Sequence, residues 1–175
     1  MYFAAEDYAR AEADLTRALN GRKNPDWVGS RAFARLRLGD LDGGIVDARR
    51  SLADSSTDGR TLNNVAWALV MTGEQLDLAL QLADEAVERA PSAAAKGTRC
   101  WVRVARGEPD QGLSDCLTAV AESNEPVDRG MVAFIQNRPD EAIEVWEQAA
   151  KKSASDARDL APWIAKARAQ LDAGL

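Results

Sequence analysis

The chain has 175 residues, 46% of them apolar and 29% charged, with a formal charge of -6 and no histidine. That composition can bury one substantial core, contains no apolar run of about 18 residues to cross a membrane, and sets bulk charge against a nucleic-acid partner. Without histidine the commonest general base and metal ligand are gone, and with them most enzyme chemistry and any metal site or cofactor of the usual kind.

The opening residues, MYFAAEDYARAEADLTRALN, carry acids where a signal peptide needs a basic flank and an apolar block. Residues 1–21 align instead as the end of one helix followed by a complete second one, a partial copy of a unit that recurs downstream. Asn24 before Pro25 then reads as the cap of a first full helix. Arg31 to Ala48, RAFARLRLGDLDGGIVDA, returns two periods of about 34 residues later as RCWVRVARGEPDQGLSDC. Arg31/Arg99, Arg35/Arg103, Gly39/Gly107, Asp42/Asp110, Gly44/Gly112 and Asp47/Asp115 are identical between the two.

Halfway between them lies VAWALVMTGEQLDLALQLA, from Val65, and a fourth copy, RGMVAFIQNRPDEAIEVW, starts at Arg129. Each copy opens on a small residue followed by a large apolar one: Ala32-Phe33, Ala66-Trp67, Cys100-Trp101 and Gly130-Met131. Each then passes a turn at Gly39, Gly73, Gly107 or Asn137 into apolar residues at helical spacing, such as Ile45, Ala48 and Leu52. Pro109 and Pro139 fit the first turn of the second helices, where a missing N–H costs nothing. The pattern predicts helix-turn-helix units over 25–56, 58–91, 92–124 and 125–153. Residues 156–172 then give one amphipathic capping helix, with Leu160, Trp163, Ile164, Ala167 and Leu171 on one stripe.

Period, helix pairing and small-residue spacing together resemble the tetratricopeptide (TPR) repeat. Ala66, Ala79, Ala86 and Pro91 carry the resemblance in one copy, and Gly130, Ala142, Trp146 and Ala149 in another. It implies an all-α fold, a right-handed α-solenoid of stacked helix pairs forming a single domain over 1–175. Arg31, Arg99 and Arg129 stand where the family prefers leucine. Tyr2, Tyr8, Ala11, Ala18 and Leu19 fit the family's pattern across the partial first copy. A half-repeat at the start leads us to expect that the sequence is the tail of something longer, with Tyr2 and Phe3 available for self-association.

In the family, first helices line a concave groove and second helices form the convex back. First-helix segments here carry net positive charge and second-helix segments net negative charge, so the expectation is a basic groove. Phe33, Trp67, Trp101 and Met131 take one place in four first helices, and Arg37, Met71, Val104 and Phe134 lie one turn further on. With Asn63, these nine residues are the candidate partner-binding set. The stripe admits two readings: a binding strip for a peptide or protein segment, or packing against neighbouring helices, with partial exposure expected for the two tryptophans. The subclass that clamps acidic chaperone tails needs lysine and asparagine where Gly29 and Phe33 stand, so that role is not expected. Asn63 and Asn64 are the one polar pair of the required kind.

The expected function is therefore a non-enzymatic protein-protein interaction module without cofactor or metal. Its partner would be an acidic segment with apolar side chains, not nucleic acid and not a membrane. The alternative is a scaffold, regulatory or oligomerisation domain of a longer protein with an upstream catalytic or membrane part. Arg31 and Arg99 co-occur with Asp47 and Asp115, which predicts a structural ion pair in each of those repeats and leaves Arg129 unassigned. Glu141, Glu144 and Glu147 read as a solvated face. Cys100 and Cys116 are expected as buried thiols, with a disulfide as the minor alternative, and a cysteine count this low points to the cytoplasm.

Overall fold

The computed structural model describes residues 7–173, which are helical with, among those residues, no strand. The helices are α1 (Tyr8–Leu19), α2 (Pro25–Leu38), α3 (Leu41–Ala53), α4 (Gly59–Thr72), α5 (Leu76–Arg89), α6 (Ala93–Ala105), α7 (Pro109–Ser123), α8 (Pro126–Ile135), α9 (Pro139–Ala150) and α10 (Ala154–Asp172). Each packs chiefly on its sequence neighbour, and α2, α4 and α6 also stack on one another, which makes an α-solenoid. Tyr2 and Phe3 lie outside the described residues.

The helix boundaries follow from local chemistry. Asn24 accepts from the Trp27 amide at 3.0 Å and Ser92 from the Ala95 amide at 3.2 Å, each satisfying an orphan donor of a first turn. Pro25, Pro109, Pro126 and Pro139 open their helices. All four expected turn residues adopt left-handed backbone, with φ of 84° at Gly39, 73° at Gly73, 82° at Gly107 and 56° at Asn137. At Gly39 that geometry lets the amide return to the Leu36 carbonyl, a conformation in which a Cβ would be strained.

The small residue of each repeat sits where the two helices of a pair approach. Ala32, Ala66 and Cys100 have no exposed surface. At Gly130 an added Cβ would overlap the indole of Trp146, so glycine there makes room for the largest side chain of α9. Among the described residues the core forms two large apolar clusters and a small one of Tyr8, Ala11 and Ala34. One large cluster gathers Leu62, Val65, Leu69 and Leu82, and the other is built on Trp101, Met131, Trp146 and Trp163.

The expected ion pairs are present. Arg31 grips Asp47 with two bonds of 2.8 and 3.0 Å, and Arg99 grips Asp115 at 2.7 and 2.8 Å. Arg35 and Arg103 bond the same two carboxylates at 2.8 and 3.0 Å. The bond to aspartate holds the Arg31 and Arg99 guanidiniums above their ordinary pKa. Arg129 is exposed.

Cys100 and Cys116 are not thiols: they are joined in a disulfide between α6 and α7, with Cα atoms 5.5 Å apart. The reason is the close approach at this crossing, where Gly112 stands against the Cys100 carbonyl and lets the two backbones come within bridging distance. With both sulfurs bonded, the low cysteine count no longer argues for a reducing compartment. Among the described residues no helix is long and apolar enough to cross a membrane.

Candidate functional site: a half-closed concave groove

The faces of α2, α4, α6 and α8 that carry the candidate stripe converge on α10. Asp159 of α10 bonds Arg37 of α2 at 2.8 Å and accepts from the Trp67 indole N–H of α4 at 3.1 Å. Ser155 accepts from the same guanidinium at 3.3 Å. Further along α10, Trp163 stands edge-on to Trp101 of α6 at 5.1 Å and to Phe134 of α8 at 6.1 Å. α10 thus packs on α9 and reaches α2, α4, α6 and α8 through these side chains.

This placement decides the stripe residue by residue. Trp101 and Met131 have no exposed surface, so the partial exposure expected for Trp101 does not hold. Trp101 is enclosed by Trp67 at 5.3 Å, Trp146 at 5.7 Å and Trp163, and its indole N–H donates to Asp128 at 3.2 Å. Phe33, Met71, Val104 and Phe134 are half-buried, and Phe33 meets the Tyr8 ring edge-on at 5.8 Å. Arg37 is buried in its pair with Asp159. Asn63 and Trp67 are half-buried and keep an open side.

The groove is also not basic. Arg31, Arg35, Arg99 and Arg103 face the second helices of their own repeats and are neutralised there, because a guanidinium between two helices needs a carboxylate more than it needs solvent. Net charge counted along first helices says nothing about the direction in which each arginine points.

What remains open is a trench along the N-terminal halves of the first helices. One pocket of about 460 Å³ is lined by Asn63, Asn64, Trp67, Thr98, Glu125, Val127 and Asp128, among others. A second, of about 580 Å³, continues it over Asp26, Asp58 and Arg60 and shares Asn63 and Asn64. A smaller one of about 130 Å³ reaches Phe33. The Asn63 Oδ1 is shielded from solvent and has no hydrogen-bond partner, an acceptor that a ligand donor would satisfy. Asp128 is 8% exposed; burial, opposed by the Trp101 bond and aided by nearby Glu125, pushes its carboxyl up to about 6. Among the described residues no cluster of three histidine, cysteine, aspartate or glutamate side chains could hold a metal ion.

Asp128, Glu125 and Asp159 are the site residues that the repeat pattern does not single out. Asp128 lies just ahead of Gly130, in a stretch that reads as an ordinary helix start, and Asp159 lies in a helix whose polar face reads as solvated.

No family model matches the sequence, and no curated protein matches it. In structure the chain is similar to a thermophilic TPR protein of Thermus thermophilus, with a TM-score of 0.67 and 23% identity over 94% of this chain and 92% of that one. The likeness covers nearly the whole length of both chains, and the fold is the tetratricopeptide solenoid.

Proposed function

We propose that the chain is a non-enzymatic interaction module that takes an extended segment of another protein in the open trench of its concave face. Asn63, Asn64 and Trp67 are its anchors, with Phe33 at one end. The observation that carries this reading is the asymmetry of this face: α10 reaches across one part, and the other part is a depression lined by amides, hydroxyls, carboxylates and an indole. Such a surface offers hydrogen bonds to a peptide backbone and a flat ring to one side chain. Trp101 and Met131 then serve the binding surface from beneath, by supporting Trp67, and Arg37 serves it by holding α10. The remainder of the proposed set, Met71, Val104 and Phe134, packs on the second apolar cluster, and Phe134 meets Trp163 of α10.

A photoreactive amino acid placed at Asn64, compared with one at Leu117 on the back of α7, tests the site in the source cells. Cross-linking of the same protein from position 64 and not from position 117 is the expected result. Cross-linking only from position 117 would move the function to the convex face.

A further inference from the structure

We propose that the trench is built for a cationic segment: a stretch of another protein carrying arginine or lysine side chains, one of which lies between Trp67 and the Glu125–Asp128 pair. This deepens the proposed function and rests on it.

Carboxylate charge is left over along the trench. Asp47, Asp115 and Asp159 are each bound by arginine. Among the described residues Asp26, Glu125 and Asp128 have no such partner, and all three line the trench. Arg60, among the described residues the only basic one lining either of the two larger pockets, is an exposed side chain paired with Asp58. The direction of the Asp128 shift says the same thing independently: the influences on it are burial, an indole N–H and a second carboxylate, with no cation among them.

The neutral lining points the same way. Asn63 offers a shielded, unsatisfied acceptor, and the Trp67 ring is held in place by its N–H bond to Asp159. The indole lines the pocket, and an aromatic ring there attracts a guanidinium or ammonium group through its π-system. Acceptors, carboxylates and a ring face in one pocket of about 460 Å³ match a donor-rich cation. An acidic segment, by contrast, would meet Glu125 and Asp128 as like charges.

The test uses the whole chain and two capped nonapeptides, one with arginine at every third position and glycine and serine between, the other with glutamate in place of each arginine. Binding is followed by NMR through the side-chain amides of Asn63 and Asn64 and the indole N–H of Trp67. The arginine peptide is expected to shift these signals and to bind at least about tenfold more tightly than the glutamate peptide. Glu125→Gln with Asp128→Asn should weaken it about tenfold, while neutralising two acids on the second helices, Asp42→Asn with Asp110→Asn, should change it less than about twofold. Glu125→Gln alone should still weaken it, because that side chain is exposed and carries no packing.

Equal weakening by the trench and back variants would reduce the effect to bulk charge and overturn the proposal. So would arginine-peptide shifts confined to residues outside the trench, or no shift from either peptide. Glutamate-peptide binding at Asn63 and Asn64 would overturn the charge assignment while leaving the trench as the binding surface. The fate of the trench itself is decided separately, by the cross-link from position 64.

Discussion

Replacing Asp159 by alanine strands the Arg37 guanidinium inside the groove. The two side chains are 6% and 7% exposed, so solvent screens the pair little and cannot rehydrate the charge left behind. Removing one partner of a buried pair costs about 3–5 kcal/mol, and the Trp67 N–H loses its acceptor in the same step, for about 1 kcal/mol more. Taking about 4 kcal/mol as the working figure, a chain of this size should lose roughly 8–16 °C in Tm. Urea unfolding followed by circular dichroism measures the loss directly. The companion variant, Arg37→Met with Asp159→Leu, removes both charges and should lie within about 1–2 kcal/mol of the native chain, because no charge is left unpaired and the Trp67 N–H is the one group without its acceptor. A loss below about 1 kcal/mol for Asp159→Ala would refute the reasoning, since it would mean that α10 does not hold Arg37 out of water.

Three further outcomes follow from the same geometry. Reducing the Cys100–Cys116 bridge, which closes a separation of 16 residues, should lower the unfolding free energy by about 3 kcal/mol, read as a shift of the urea midpoint with and without reductant. Asp128 binds its proton more tightly folded (about 6) than unfolded (3.8), so its ionisation opposes folding at neutral pH. Between pH 7 and pH 4 most of that burden of about 3 kcal/mol is relieved, the rest below 3.8; the native chain should gain stability over this window relative to Asp128→Asn, and parallel pH profiles would contradict the assignment. Gly130→Ala forces a methyl group into the Trp146 indole and should cost about 1–3 kcal/mol, read as a shift of the urea midpoint.

The repeat was legible because it is local. A turn residue at a fixed offset, a small residue at each helix crossing and an aspartate sixteen positions after an arginine all lie within one helix pair, and Gly39, Ala66 and the Arg31–Asp47 pair stand where the pattern put them. The groove was not legible, because its contents depend on how far the solenoid curls. Nothing in the spacing brings Asp159 to Arg37 across 122 positions, or lays Trp163 on Trp101. Summing charge along first helices likewise missed that Arg31, Arg35, Arg99 and Arg103 turn inward. The disulfide was the less favoured of two readings for a local reason: its bridging distance depends on the close approach at Gly112, which the pattern marks only as small.

The most direct test of this account is hydroxyl-radical footprinting of the five tryptophans by mass spectrometry on the native chain. Half-buried Trp27 and Trp67 should oxidise, while Trp101, Trp146 and Trp163, exposed by 0%, 0% and 4%, should stay protected until the chain unfolds. Oxidation of Trp101 and Trp163 at the rate of Trp67 would show that α10 does not close its half of the groove, and the open trench would lose its definition as the binding surface.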